Sequence, residues 1–401
     1  MNKRNLFLCV ILLTIFVSCF SSGYSCSSSQ ILLLSNLNKK NNESNIRIES
    51  SSECQVKGVS ISPKDFSPEN ITNFFIKAKD AGTCLTWIGN WSNPVDLRNG
   101  TGTAHNITDL FLSKGFTPII SIHTKTPDKI NSTHMGWVIN YTKTYKPKYF
   151  GIGNEINARD IYNRTNGPQI FYNFTKLFNE TYEIIKFWSP ETKVFTIFQL
   201  EYMKGLQGGI FNDGGNDTIN LNDWSLLNNI SKADFFAFTT YPCLIFKNPN
   251  DMPLNYYCEI KDHTTKPIAF TEIGWFWEGY PGWESNKTEE ADFVIRYFNI
   301  TKGLNPIFNI WAFLYNSSLI PPPFNKMALL SIYEETSPAW IAWISAGKCI
   351  EIPTDEEDDD DDDGESKLAI LSYNIIFLTI GIIIAVTIIT INLAKFKKKR
   401  L

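Results

Sequence analysis

Between residues 54 and 350 the chain alternates short apolar runs with longer stretches whose apolar positions recur at helical spacing. The runs, rich in β-branched and aromatic residues, fall at 56–62, 83–88, 117–123, 149–153, 193–200, 235–241, 268–273 and 307–314. Continuous apolar content over such short lengths predicts strands covered on both faces. Helices are predicted at 68–81, 103–114, 133–144, 171–187, 222–230 and 287–301, with a short closing one at 338–345. Ser67 before Pro68 reads as an N-cap followed by proline in the first helical position, where no N–H partner is needed.

Eight such runs alternating with helical stretches predict an α/β fold of the (β/α)8 TIM barrel kind. Parallel neighbours need a crossover, and closure removes the sheet edges. A doubly wound open sheet gives a similar alternation, but no Gly-rich phosphate loop follows the first strand. The barrel is placed at residues 54–350.

Both ends of the chain read as membrane-traffic segments. Lys3 and Arg4 precede an apolar run at 6–17 and then small residues, which predicts a signal peptide over 1–23. That run is shorter than the roughly 20 residues a span requires. Residues 24–53 form a Ser- and Asn-rich low-complexity lead-in. Residues 351–367 are an acidic linker, self-repelling and extended, fit for a solvated stalk or a weak cation-binding tail. Residues 368–394 carry no charge and precede the basic tail 395–401, which predicts a single C-terminal transmembrane helix with that tail in the cytoplasm. The expectation is a single-pass type I membrane protein, anchored through one helix, with an extracellular or lumenal ectodomain. Lys398-Lys399-Arg400-Leu401 fits either an ordinary positive stop or an ER-retrieval signal of the Lys-Lys-x-x type.

Fifteen Asn-x-Ser/Thr sequons lie between Asn42 and Asn316 and none follows the predicted span, which suits this topology. Candidates for N-glycosylation are Asn70, Asn99, Asn106, Asn131, Asn163, Asn173, Asn216, Asn229, Asn286 and Asn316. Of eight cysteines, Cys243–Cys258 and Cys54–Cys349 are candidate disulfides in an oxidising compartment, and Cys84, inside an apolar run, reads as a buried thiol. A net charge of −4 gives no electrostatic case for nucleic acid.

In a barrel, chemistry sits where the strands end. The fourth run ends Gly153-Asn154-Glu155 within "YFGIGNEIN", and the sixth ends Thr240-Tyr241-Pro242. The seventh ends in "FTEIGW" with Glu272 and Trp275, and the eighth carries Trp311. Two carboxylates at the ends of strands four and seven flank the barrel mouth, as hydrolysis of a glycosidic bond requires: one protonates the leaving oxygen while the other attacks or activates water. Asn154 can bind a sugar hydroxyl, Tyr241 can orient the second carboxylate, and Trp faces stack on sugar rings. Asn154 and Asn157 can alternatively cap the next helix. Trp87, Trp91, Trp275, Trp277 and Trp283 cluster after strands two and seven, each fit for sugar contact or for packing. His123, ending strand three, suits substrate contact or a structural hydrogen bond, and Glu201 suits the site or a solvated loop.

The joint placement of Asn154-Glu155, Tyr241, Glu272 in "FTEIGW" and Trp311 resembles clan A of the glycoside hydrolases, over nearly all of residues 54–350. The opening "KGVSIS" and the "FTEIGW" segment resemble the endo-β-1,4-galactanase family in particular. The resemblance implies a retaining double displacement on a β-linked polysaccharide or glycan. Glu155 would be the general acid/base, Glu272 the nucleophile, and Asn154, Tyr241 and Trp311 subsite residues. Several clan families place Arg at the end of strand two, where this chain has Trp87-Ile88-Gly89-Asn90-Trp91. No His-x-His stands on the first strand and no G-x-S-x-G elbow occurs, so neither a metal, another cofactor nor a serine nucleophile is expected. A catalytically retired barrel that binds carbohydrate or serves adhesion is the competing reading.

Overall fold

The structure, a computed structural model, describes residues 55–91, 103–157, 167–206, 224–333 and 335–346. The expected signal peptide, lead-in, acidic linker, span and basic tail lie outside the described residues, as do Cys54 and Cys349. Among the described residues no helix is long and apolar enough to cross a membrane.

Along the chain come β1 (Lys57–Ser60), α1 (Pro68–Ala81), β2 (Cys84–Asn90), α2 (Thr103–Ser113), β3 (Thr117–His123), α3 (Ser132–Tyr145), β4 (Tyr149–Ile152) and α4 (Gly167–Trp188). Then follow β5 (Lys193–Gln199), the single turns α5 (Leu200–Met203) and α6 (Leu226–Asn229), β6 (Phe235–Thr240), the turn α7 (Ile260–His263), β7 (Ile268–Ile273) and α8 (Lys287–Thr301). The end of the fold is β8 (Asn309–Trp311), β9 (Phe313–Tyr315), β10 (Ala328–Leu330) and α9 (Pro338–Ser345). Strands β1 to β8 form one closed parallel barrel, with Lys57 opposite Asn309 at the seam, so the open-sheet alternative is excluded. The Ser67 hydroxyl accepts the Asn70 N–H at 3.3 Å, capping α1 as its sequence requires.

The repeat is less regular than eight equal units. Between β6 and β7 no full helix forms, because Pro242, Pro249 and Pro253 interrupt any helical ladder. Short 3-10 turns and α7 carry the chain across instead, with Tyr256 and Tyr257 buried beneath. The eighth run also divides at Ala312: its second half leaves the barrel as β9 and pairs with β10.

Two apolar layers follow from the strand period of two. Inside the barrel, Ile119, Tyr149, Phe195, Ile197, Phe235, Ala237, Ala269, Phe308 and Ile310 pack together. Phe195 stacks on Phe235 with centroids 4.7 Å apart, and Tyr149 meets Phe308 edge-on at 5.2 Å, so aromatic rings fill the lower barrel. Outside, Val194, Phe198, Phe236, Phe238, Phe270, Ile273 and Trp311 face the helices.

Strand β7 breaks this alternation. Ala269 faces in and Phe270 faces out, so a regular strand would turn Glu272 outward. Instead the register slips: Phe238 pairs with Phe270 but Thr239 pairs with Glu272, and on the other side Asn309 pairs with Phe270 while Trp311 pairs with Ile273. One extra residue in β7, a bulge at Thr271, returns Glu272 to the barrel interior.

Candidate active site

The turn after β4 is built around one glycine. Gly153 has φ +87°, and a Cβ there would lie 2.5 Å from Ile156 Cγ2. Only glycine fits that backbone without strain. Glu155 itself sits at φ +46°, an uncommon conformation for a residue with a side chain and one that collects at functional sites. The Asn157 amide exchanges two hydrogen bonds with the Gln199 backbone, at 2.9 and 2.8 Å, and so extends the β4–β5 pairing past the last strand residue. The Asn154 N–H donates to His123 Nδ1 at 3.3 Å, so that nitrogen is an acceptor and His123 holds the turn from β3. Among the described residues neither Asn154 nor Asn157 caps a helix. The Asn154 side chain is buried, and its oxygen has no hydrogen-bond partner among the described residues.

The two glutamates meet at the end of β6. Thr239 Oγ1 donates to Glu155 Oε1 at 2.7 Å, and the Tyr241 hydroxyl donates to Glu272 Oε2. Glu155 is half-buried and Glu272 only 7% exposed. Burial pushes the Glu155 carboxyl well above the usual carboxylate range, the neighbouring Glu272 charge pushes it further, and the Thr239 hydroxyl partly opposes both. Burial also raises Glu272, against the Tyr241 hydroxyl, which favours its anion. Burial thus raises both carboxyls, their mutual repulsion raises the pair further, and the Thr239 and Tyr241 hydroxyls each favour the anion they donate to.

A third glutamate lies behind this pair. Glu201 is 4% exposed, and accepts from Gln199 Nε2 at 2.7 Å, Thr240 Oγ1 at 2.8 Å and the Tyr256 hydroxyl at 2.9 Å. It is therefore not the loop-solvated carboxylate expected as one alternative. Three consecutive residues closing and just past β6 thus each give a hydroxyl to a different glutamate: Thr239 to Glu155, Thr240 to Glu201 and Tyr241 to Glu272. Sequence reasoning missed Thr239, Thr240 and Gln199, although three adjacent hydroxyls ending an apolar strand were the available signal.

Beside Glu272 opens a cleft of about 620 Å³, solvent at its mouth included, lined among others by Trp87, Phe66, Ile61, Phe313 and Ile320. Its hydroxyls are engaged internally: Ser60 with Thr86 at 2.7 Å, and Ser317 with the Lys64 carbonyl at 2.7 Å. Trp87 borders this cleft but is buried with Leu85 in the outer layer, Cys84 and Ile88 taking the inward positions of β2.

Other expectations need correction. Trp311 has no exposed surface, donates through Nε1 to the Met327 carbonyl at 2.8 Å and packs on Trp343 at 5.4 Å. Phe308 and Ile310 take the inward positions of that segment, so Trp311 must face the helix layer. Trp275 is equally buried, stacked on Phe293 of α8 at 5.0 Å, because the chain turns away from the barrel after Gly274. The Cys243–Cys258 disulfide is absent: Cys243 is buried with its thiol at the Gly274 carbonyl, 3.8 Å away, while Cys258 is an exposed free thiol. Cys84 is a buried thiol, pushed up to about 11 by burial. Among the described residues no three His, Cys, Asp or Glu side chains are grouped to hold a metal.

No protein-family model matches the chain, and no curated protein matches it by sequence. Solved structures do. An exo-β-1,4-mannosidase from Opitutaceae bacterium strain TAV5 superposes with a TM-score of 0.52 at 10% identity, over 74% of this chain and 59% of that one. β-Glucuronidase 2 of Bacteroides uniformis superposes with a TM-score of 0.50 at 10% identity, over 73% of this chain and 35% of that one. A GH53 catalytic domain from Ignisphaera aggregans gives a TM-score of 0.44 at 15% identity, over 72% of this chain and 95% of that one. This chain spans less than two thirds of the mannosidase and about a third of the glucuronidase. At such identities the likeness is one of fold: the chain has the eight-stranded parallel barrel found in these glycoside hydrolases.

Proposed function

We propose that the protein is a retaining glycoside hydrolase acting on a β-linked polysaccharide or glycan. The observation that carries this reading is the pairing of Glu155 and Glu272 at the ends of β4 and β7, each held by its own hydroxyl from β6. In the first step protonated Glu155 gives its proton to the glycosidic oxygen while Glu272 attacks C1, and a glycosyl ester forms as the leaving group departs. Glu155, now ionised, takes a proton from water, which attacks C1 and releases Glu272. In this reading the Asn154 amide oxygen, without a partner among the described residues, accepts from a sugar hydroxyl, and Trp87, which borders the cleft, packs on a ring face. His123 acts through the Asn154 backbone.

The test is a screen of the purified chain on galactan, mannan, glucan, xylan and aryl β-glycosides, a β-glucuronide included, with Glu272→Gln as control. Hydrolysis that the control loses supports the reading. Binding without hydrolysis on every member establishes the retired, carbohydrate-binding barrel instead. Carboxyl carbons near 9 Å apart in an experimental structure, against the roughly 5–5.5 Å of retaining enzymes, would replace double displacement with inversion.

The sequence ends support membrane anchoring as part of the proposal: a type I topology with residues 368–394 as the span and a lumenal or extracellular barrel. Protease protection in sealed microsomes tests it, together with an endoglycosidase mobility shift dependent on exposed sequons such as Asn106 and Asn131.

A further inference from the structure

Glu201 has no task in the chemistry above, yet it is the most heavily bonded carboxylate near the site. Its partners come from both sides of the barrel wall: Gln199 ends β5, Thr240 ends β6, and Tyr256 belongs to the crossover before β7. Gln199 is itself fixed, because its Oε1 accepts the Tyr202 N–H and its backbone is clasped by Asn157 from the Glu155 turn. Tyr256 is fixed from behind, since Lys204 donates to its carbonyl at 2.7 Å, lies over its ring and pairs with Glu259. The Tyr257 hydroxyl lies 3.2 Å from Thr240 Oγ1, and the buried Cys243 thiol is the remaining titratable group beside this cluster. Four protein donors, counting the Tyr241 backbone N–H, converge on one buried carboxylate. Burial raises the Glu201 carboxyl, and these donors oppose that rise by favouring its anion.

Strand alternation gives this clamp its consequence. Thr240 points outward to Glu201, so Thr239 and Tyr241 on either side of it point inward. Fixing the middle residue fixes the two hydroxyls that reach Glu155 and Glu272.

We propose that Glu201 is a positioning residue, whose buried carboxylate clamps the end of β6 so that Thr239 and Tyr241 deliver their hydroxyls to Glu155 and Glu272. It touches neither substrate nor reacting atoms. The proposal rests on Glu155 and Glu272 being the working pair.

The test compares Glu201→Gln, which keeps the shape and removes the charge, with Thr240→Val, which keeps the charge and removes the clamped hydroxyl. Misalignment of the two carboxyls is expected to lower kcat by about 10- to 100-fold in both variants, with KM within about threefold. Glu201 is one of the like charges that raise Glu155. Glu201→Gln loses that charge, which lowers the alkaline limb of the pH profile, whereas Thr240→Val keeps the charge but loosens the Thr239 hydroxyl that opposes the rise at Glu155, so Thr240→Val should move the alkaline limb up. A structural role alone would lower kcat in step with thermal stability and leave that limb in place. That result overturns the proposal, as does wild-type kcat in Glu201→Gln.

A readout independent of turnover is the carbon-13 titration of Glu-labelled protein, with the Glu155 signal identified by its loss in Glu155→Gln. If the wild-type chain hydrolyses nothing, the glycosidase reading fails. The clamp still stands if Thr240→Val raises the Glu155 midpoint, and falls if it does not.

Discussion

Tyr241→Phe isolates the hydrogen bond that distinguishes Glu272 from Glu155. The substitution removes one oxygen from a ring with 1% exposure and leaves the packing on Phe324 in place. A hydroxyl donating to a buried carboxylate contributes about 1.5–3 kcal/mol. At 1.36 kcal/mol for each pKa unit, its loss raises Glu272 by about 1–2 units. The sign is fixed by the structure, because this hydroxyl is what opposes burial at Glu272. Glu272 must be ionised to attack, so it governs the acid limb of the pH profile of kcat/KM and Glu155 the alkaline limb. Tyr241→Phe should therefore move the acid limb upward by about 1–2 pH units and narrow the bell from that side. Initial rates on an aryl glycoside from pH 4 to 9, with Tm at each pH, are the assay. An acid limb that stays in place, or moves down, would refute the assignment of Glu272 as the ionised partner.

Other outcomes follow from the same geometry. Thr239→Val removes the hydroxyl that opposes the rise at Glu155, so the alkaline limb should move up while the acid limb stays, which the same titration reads. Gly153→Ala forces a methyl into 2.5 Å of Ile156 at φ +87°, and should lower stability by about 1–3 kcal/mol in urea unfolding while abolishing turnover. Trp311→Phe should lower Tm without changing KM, because that ring lies among Trp343 and Phe293 and not in the mouth. Glu290 of α8 is fully buried, neither carboxyl oxygen has a hydrogen-bond partner among the described residues, and burial raises it well above its ordinary value. Stability linked to its proton is present at low pH and lost as pH rises toward the folded-state value. Glu290→Met should flatten that decline and raise Tm above neutral pH, as scanning calorimetry across pH would show.

The barrel was legible because buried parallel strands and their covering helices have different periods, and β3, β7, α1, α8 and α9 carry the boundaries that their residues predict. The β6–β7 crossover was not, since its prolines break the helical period without stating what replaces it. Within the site, the grouping of Glu155, Glu272 and Tyr241 was legible from strand ends alone. Trp311 and Trp275 were misplaced because proximity to a strand end does not decide which face a ring takes. The burial of Glu201 was hidden because its partners come from β5, β6 and a distant crossover, and no local pattern links them.

The bulge at Thr271 makes the site a matter of parity. Side chains at the barrel mouth answer to an odd or even count from the last regular pair, so a strand that took Thr271 into regular pairing would turn Glu272 toward the helices. Deleting Thr271 would instead remove the bulge and leave Glu272 opposite Thr239, still facing the mouth. Transplanting this chemistry into an idealised barrel would therefore mean setting the glutamate one residue earlier or carrying the bulge along with it.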